Sequence, residues 1–373
     1  MVSTYLGYQL ITRDLDKAIG RVEKQTTVQR DTDYFEKNIG KVSSIDDFLK
    51  NDRLYRYAMK AFGLEDMTYA KAFMKKALEG GVSSSDSFAN KLTDKRYAAF
   101  VSAFNFSSRA ERTTTYAEAQ QGVTDRYNVL AFTNGVALDD PTLLKQNADY
   151  TAAVAKVTSV DEFLANDAVY NYAMKAFDLG STGADKAFMR DILEGGVSDP
   201  NSLANQQKNT NFAKFAAAFD FAGKGEKATT WRAAVEGTAE KFARQKLEED
   251  AGDQNEGVRL ALNFQRKAKT ITSWYDVLAD TALAKVVRTT LGLPDSFASA
   301  DLDRQVSLFK AKLDIKDFQD GAKLDKFMKR FTSMYDVANA STDSSAASPV
   351  ALFQSTASGI STDLMLTMQQ LKF

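Results

Sequence analysis

The sequence of 373 residues contains neither cysteine nor histidine. Without cysteine it cannot form a disulfide, a thiolate nucleophile or the ligand set of an iron–sulfur cluster. Without histidine it has no imidazole base near neutral pH, no Ser-His-Asp or Cys-His catalytic unit and none of the common zinc sites. The composition therefore predicts a protein that is not an enzyme and that holds no cofactor or metal.

Proline and net charge are also scarce. Four prolines argue against a loop-rich all-β fold, while 25 Phe and 14 Tyr can build helical cores. The 48 basic and 49 acidic side chains give a net charge of −1, which argues against nucleic acid or an anionic membrane as the main partner. No run of eighteen apolar residues is present, and the start lacks the features of a secretory signal peptide. We expect no membrane span, and either a cytoplasmic protein or one exported without a cleaved signal.

An internal repeat is the strongest positive signal. Residues 44–116 align without a gap onto residues 159–231, with 35 identities in 73 positions. The segment Ser44-Ile-Asp-Asp-Phe-Leu49 matches Ser159-Val-Asp-Glu-Phe-Leu164, and Tyr57-Ala-Met-Lys-Ala-Phe62 matches Tyr172-Ala-Met-Lys-Ala-Phe177. A third, degenerate copy begins at Ser273-Trp-Tyr-Asp-Val-Leu278, with Phe327 and Phe331 opposite Phe215 and Phe219. The period is too long for a common solenoid, so each copy is expected to be a small helical subdomain.

The repeats carry start and stop signals of helices, so we predict an all-α fold. Ser44 and Ser159 are predicted N-caps, with Asp47 and Glu162 completing capping boxes. A later helix, from Tyr69 to Leu78, is predicted to stop at Gly80-Gly81. The Tyr-Ala-Met-Lys-Ala-Phe block is interpreted as core, with a ligand groove as the alternative. The predicted organisation is an N-terminal helical segment (1–43), repeat one (44–132), repeat two (133–250), a degenerate repeat three (251–337), and a linker with a C-terminal amphipathic helix (338–373).

Both ends of the chain carry apolar side chains three and four residues apart, the spacing of a coiled-coil seam. These candidate assembly stripes are Tyr8, Ile11, Leu15, Ala18 and Val22 at the start, and Phe353, Ala357, Ile360, Leu364, Met368 and Leu371 at the end. The stripes are predicted to pair with each other or with neighbouring copies. The alternative, that they pack on the repeats of the same molecule, stays equally open.

Few residues suggest chemistry. The acidic pairs Asp46-Asp47 and Asp161-Glu162 are candidates for acid and base roles, but their place in the first turn of a helix is explained by the helix dipole. Ser307 and Lys310 match a Ser-x-x-Lys pattern that occurs by chance in a chain of this length. We interpret both as surface residues of a helix.

The segments Ser44–Leu49, Tyr57–Met67 and Tyr69–Met74 resemble a domain-of-unknown-function family of alphaproteobacteria whose genes lie among flagellar genes. The resemblance covers about residues 26–240 and implies a link to motility, but no activity, cofactor or catalytic residue. Axial flagellar proteins are similar to this chain in lacking cysteine and in placing assembly helices at both termini.

These features together predict a non-enzymatic structural or accessory protein of the bacterial flagellum, with flagellar proteins or copies of itself as partners. We expect it to assemble through its terminal helices and to be located in the flagellum. The alternative is a cytoplasmic helical binding protein that assists flagellar assembly or export. A third hypothesis, an enzyme based on the acidic pairs, rests on those four carboxylates alone.

Overall fold

The computed structural model describes residues 3–109, 112–199 and 201–339, and the regular structure of these residues is helical without a strand. The all-α prediction is thus confirmed for the described residues. The chain forms two compact units. We call Asp16–Leu247 the central unit, and the described residues up to Leu15 and from Glu248 to 339 the C-terminal unit.

The α-helices are numbered along the chain. Up to the end of the first repeat they are α1 Thr4–Thr12, α2 Leu15–Glu23, α3 Thr26–Ile39, α4 Ile45–Lys50, α5 Asp52–Ala61, α6 Lys71–Gly80, α7 Phe88–Lys91, α8 Lys95–Phe104 and α9 Phe106–Arg109. Helix α10 Val123–Thr133 follows the first repeat, and the second repeat then has α11 Pro141–Val154, α12 Val160–Ala165, α13 Asp167–Ala176, α14 Lys186–Gly195, α15 Leu203–Gln206, α16 Asn211–Phe219 and α17 Phe221–Lys224. Helix α18 Glu236–Gln254 follows the second repeat, and the third has α19 Glu256–Lys267, α20 Trp274–Ala279, α21 Thr281–Thr290, α22 Leu302–Lys312 and α23 Gly321–Ala338.

The same serine cap starts the short helices α4, α12 and α20. The hydroxyl oxygens of Ser44, Ser159 and Ser273 each accept a hydrogen bond from the backbone N–H three residues later, at 3.1, 3.2 and 3.2 Å. At Ser273 the bond is reciprocal, because the carboxylate of Asp276 accepts from the Ser273 N–H at 2.8 Å. The third copy therefore keeps the local start signal that its divergent sequence suggested.

The predicted capping boxes of the first two repeats need a correction. Asp47 accepts a hydrogen bond from the hydroxyl of Ser43 at 2.9 Å, and Glu162 accepts from the N–H and hydroxyl of Thr158 at 2.8 and 2.9 Å. Each acid thus bonds to the residue before the cap.

The predicted helix stop at Gly80-Gly81 is confirmed. Helix α6 ends at Gly80, and Gly81 has a φ of +58°; the equivalent Gly196 after α14 has a φ of +57°. A Cβ at Gly81 would meet the Ser107 hydroxyl at 1.9 Å, and one at Gly196 would meet Ala222 at 2.8 Å. Both backbone conformation and close packing therefore require glycine.

The structural repeat begins earlier than residues 44 and 159. Helices α3, α11 and α19 each precede a serine cap and bury an aromatic ring at the equivalent position: Phe35, Tyr150 and Phe264 are at most 3% exposed. Burial at matched positions places these helices inside the repeat, although their sequences have diverged too far to extend the alignment.

A three-ring stack organises the first repeat. Tyr57 on α5 lies between Phe35 on α3, with ring centroids 4.5 Å apart, and Phe242 on α18, at 3.9 Å. Its hydroxyl is hydrogen-bonded to that of Thr32 at 2.8 Å. Ala58 and Met59 beside it are fully buried, as the core interpretation of this block predicts.

The second repeat builds the same stack from matched positions. Tyr172 on α13 lies between Tyr150 on α11, at 4.3 Å, and Tyr127 on α10, at 4.0 Å. Its hydroxyl donates to Asn147 at 2.6 Å. Burial raises the pKa of Tyr172, as it does that of Tyr57, so both hydroxyls stay neutral donors.

The outer rings of the two stacks come from exchanged helices. Helix α10 follows the first repeat and packs on the second, whereas α18 follows the second repeat and packs on the first. Two cations repeat the pattern: Lys241 lies over Phe62 at 5.3 Å, and Arg126 lies over Phe177 at 4.8 Å. Neither repeat of the central unit has a complete core without a helix that follows the other.

The C-terminal unit has its own aromatic core. Trp274 contacts Phe309 and Phe318, with centroids at 5.6 and 5.8 Å, and Phe327 and Phe331 on α23 are buried nearby. Helix α23 packs against both α19 and α21. The third copy therefore builds its core with its own long last helix.

Helix α1 is fixed inside the C-terminal unit. Thr4 is fully buried; its hydroxyl donates to Asp336 at 2.5 Å and accepts from the amide of Asn255 at 3.0 Å. Tyr8 packs in the same core and Ile11 lies against it. This arrangement agrees with the alternative that the first stripe packs within its own molecule.

The N-terminal stripe is not one continuous seam, which is a second correction. The helix is interrupted at Arg13-Asp14. Tyr8, Ile11 and Leu15 belong to the C-terminal unit, whereas Ala18 and Val22 belong to the central unit and are buried. The predicted N-terminal segment 1–43 is thus divided between the two units. The predicted boundary between residues 250 and 251 falls within α18, and so does the observed boundary between the units after Leu247. The second stripe, Phe353, Ala357, Ile360, Leu364, Met368 and Leu371, lies outside the described residues.

The exchanged stack predicts a long-range effect of Phe242→Ala. We expect a loss of about 3–5 kcal/mol in the free energy of unfolding, because Phe242 is buried against Tyr57. Hydrogen exchange should quicken in α3 and α5 of the first repeat, far from residue 242 in sequence. The control, Tyr69→Ala, changes a side chain that is 80% exposed and should shift stability by less than about 0.5 kcal/mol. If hydrogen exchange becomes faster only around residue 242, the packing of α18 on the first repeat would be contradicted.

Candidate functional site

The aspartates that open the two acidic pairs form surface ion pairs. Asp46 pairs with Lys75 at 2.7 Å, and Asp161 pairs with Arg190 at 2.5 Å. The hydrogen bond from Lys75 lowers the pKa of Asp46 below its ordinary value. Each bridge joins the short first helix of a repeat to its longer helix, α6 or α14.

The second acid of each pair has a capping role. Hydrogen bonds from Ser44 and Ser43 lower the pKa of Asp47, and those from Thr158 lower the pKa of Glu162. A general acid near neutral pH needs a raised pKa, so this geometry favours capping and ion pairing over acid–base work.

Ser307 and Lys310 lie exposed on α22, as predicted for a helix surface. The two side chains are close because residues three apart lie on the same face of a helix.

One cleft of the central unit concentrates negative charge. Its volume is about 220 Å³, with Lys227 as its one cation, and its acidic lining residues are Glu23, Asp33, Glu36, Glu236 and Glu240. Burial raises the pKa of Glu36, with further contributions from Asp33 and Glu236. In the described part of the chain, no group of three or more acidic side chains is arranged to hold a metal ion.

Five large apolar side chains of the central unit are exposed along α10, the turn after it and the start of α11. These side chains, here called the α10 surface, are 37–67% exposed: Val129, Phe132, Val136, Leu138 and Leu144. A cavity of about 440 Å³ adjoins it, lined by Tyr127, Leu143 and Lys175 among others. This group of exposed apolar side chains is therefore a candidate contact surface.

The matching face of α18 is buried. One repeat period after Val129, Phe132 and Val136 stand Arg244, Leu247 and Ala251, which are 7–8% exposed. Ala251 packs in the core of the C-terminal unit with Tyr8 and Val258. The same helix face is therefore covered at one site in the chain and open at the other.

A smaller apolar pair lies on the outer side of α1. Leu6 and Leu10, one helical turn apart, are 54% and 64% exposed, while Tyr8 between them faces the core. No described helix is long and apolar enough to cross a membrane. Leu6 and Leu10 thus form a second group of exposed apolar side chains, on helix α1, which Thr4 holds in place.

The sequence comparisons agree with the duplicated helical architecture. The family described as "Protein of unknown function (DUF1217)" matches residues 61–185 and 176–324, and its two matches begin one repeat period apart. The chain belongs to this family. The expected resemblance to a family of unknown function is thereby confirmed.

A solved structure shares this fold. The crystal structure of a protein from Agrobacterium tumefaciens is 34% identical to this chain, and the match covers 91% of this chain and 97% of that one with a TM-score of 0.52. No curated protein matches the chain.

Sequence reasoning missed the α10 surface and the acidic cleft. The spacing of Val129, Phe132 and Val136, three and four residues apart, is the same signal that identified the terminal stripes. The acidic cleft has no such signal, because Glu36 and Glu236 meet only after the second repeat folds back on the first.

The raised pKa of Glu36 predicts a pH-dependent gain in stability for Glu36→Gln. Since the folded state favours the protonated acid, ionisation destabilises the wild type as pH rises through the folded pKa. We expect Glu36→Gln to raise Tm at pH 7, and the difference to vanish below the ordinary pKa of 4.5, where the wild-type side chain is protonated in both states. Thermal unfolding by circular dichroism at both pH values tests this, with Glu226→Gln, an exposed change outside the cleft, as the control. An unchanged or lowered Tm at pH 7 would refute it.

Proposed function

We propose that this protein is a non-enzymatic structural or accessory component of the bacterial flagellum that assembles with other protein chains through exposed helix surfaces. The observation that carries the assembly role is the α10 surface, whose apolar side chains are open to solvent while the matched face of α18 is buried. Leaving several large apolar side chains in water costs free energy, which contact with another chain recovers.

Both termini contribute to this assembly in the proposal, but at the N-terminus the contact residues differ from the stripe expected from the sequence. Leu6 and Leu10 are the part of the N-terminal region available to a partner, because Tyr8 and Ile11 pack within the molecule. The proposal keeps the C-terminal stripe, from Phe353 to Leu371, as a further assembly element on the strength of its helical spacing.

The flagellar assignment is supported by composition and resemblance. The chain has no cysteine to crosslink during passage through an export channel, and the segments from Ser44 to Met74 resemble a family whose genes lie among flagellar genes. Copies of this chain or other flagellar proteins are the proposed partners.

A second candidate is a cytoplasmic helical binding protein that assists flagellar assembly or export. The observation that favours it is a groove of about 670 Å³ in the C-terminal unit, lined by Trp274 and Tyr275. A groove of this size accommodates a short segment of another protein.

The assembly role predicts that Phe132→Asp weakens self-association. Placing a charge in an apolar contact weakens the free energy of association by about 2 kcal/mol or more. The dissociation constant should therefore rise at least roughly tenfold. Sedimentation equilibrium over a range of concentrations measures this, and circular dichroism checks the fold. The control Tyr69→Asp alters an exposed aromatic side chain outside the α10 surface and should leave association unchanged. A wild type that stays monomeric at every concentration would contradict self-assembly.

The flagellar role predicts a location. The protein should appear in sheared or purified flagella, and deletion of residues 349–373 should reduce its incorporation while the repeats stay folded. Immunodetection in flagellar and cytoplasmic fractions, with circular dichroism of the truncated chain, provides the measurement. Detection in the soluble cytoplasm alone would favour the binding-protein alternative.

A further inference from the structure

The three repeats differ in how the serine-capped helix α4, α12 or α20 is joined to helix α6, α14 or α22. In the first repeat the tie is the ion pair of Asp46 on α4 with Lys75 on α6. In the second it is the pair of Asp161 on α12 with Arg190 on α14. An ion pair therefore bridges the two helices at the same place in both copies.

The third repeat has lost this bridge. Tyr275 occupies the position of the two aspartates, and Val306 that of Lys75 and Arg190 when α22 and α14 are aligned from their caps. The hydroxyl of Tyr275 is instead hydrogen-bonded to Asp303, nearer the start of α22, at 3.1 Å. A groove of about 670 Å³ lies where the ion pair stands in the other copies.

The groove has an apolar floor. Trp274, which is 4% exposed, lines it together with Leu313 and Ile315. The equivalents of Trp274 are the smaller Ile45 and Val160. The third repeat thus places a larger aromatic side chain beneath the groove, and Trp274 reaches the surface only at one edge.

The charge at the rim is reversed. Lys310 occupies the position of Glu79 and Glu194, and Lys312 beside it is also exposed. The lining also contains the carboxylate of Asp314, which accepts a hydrogen bond from the Lys316 N–H at 3.0 Å and adds one negative charge. The lining therefore carries two lysines against one aspartate, a net charge of +1, and both lysines are exposed to an incoming molecule.

We infer that this groove binds an acidic peptide segment of a partner protein. The segment seats an apolar side chain against Leu313, Ile315 and the exposed edge of Trp274, and it places carboxylates near Lys310 and Lys312. A peptide with both features matches the apolar floor and the basic rim, whereas the first two repeats offer an ion pair and a glutamate at the same place. This inference rests on the groove alone and holds whether or not the protein belongs to the flagellum.

The fluorescence of Trp274 provides the test. The chain has two tryptophans, so the Trp231→Phe variant isolates Trp274. The probe is the peptide acetyl-Phe-Asp-Asp-amide, and its neutral counterpart acetyl-Phe-Asn-Asn-amide is the matched ligand. We expect saturable quenching by the acidic peptide, and binding of the neutral peptide that is weaker by roughly fivefold or more, because an exposed ion pair is lost.

Two charge variants complete the experiment. Lys310→Glu restores the residue type of the first two repeats and should weaken binding of the acidic peptide by more than roughly fivefold, with unchanged circular dichroism. Lys326→Glu makes the same charge change on an exposed lysine of α23 outside the groove and should leave binding intact. No saturable binding at millimolar acidic peptide, equal binding of the two peptides, or equal effects of the two variants would each overturn the proposal.

Discussion

The central unit depends on one buried tyrosine in each repeat being held between two rings from different parts of the chain. Tyr57 and Tyr172 each take one ring from the helix before their own serine cap and the second from α18 or α10. Because α10 and α18 serve opposite repeats, neither repeat can bury its tyrosine alone. This explains why residues 16–247 form one unit although the sequence contains two copies.

The duplicated chain keeps its core and varies its surface. The stacked rings, the serine caps and the glycine stops recur at matched positions, since each is fixed by packing or by backbone geometry. The outer face of α10, by contrast, is apolar and exposed where that of α18 is buried, and the third repeat replaces an aspartate with Tyr275 and a glutamate with Lys310. The surfaces proposed here to bind other chains are therefore places where the copies differ.

Local signals made part of the fold predictable. Ser44, Ser159 and Gly81 act within a few residues of themselves, so their roles follow from the sequence, and Asp46 and Asp161 were correctly attributed to the first turn of a helix. The partner of Tyr57 could not be predicted, because Phe242 lies beyond the second repeat. The spacing of Tyr8, Ile11 and Ala18 suggested one seam, but the break at Arg13-Asp14 divides it between two units.

The sequence by itself determined the helical class, the duplication, the helix boundaries set by serine and glycine, and the loss of histidine and cysteine chemistry. These are properties of composition or of contacts between near neighbours. Only the tertiary structure decided which apolar faces are covered, that Thr4 fixes the first helix to Asp336, and that the third repeat opens a basic, tryptophan-lined groove. Exposure depends on what the rest of the chain places against a residue, and in this protein those contacts join residues that are often more than a hundred positions apart.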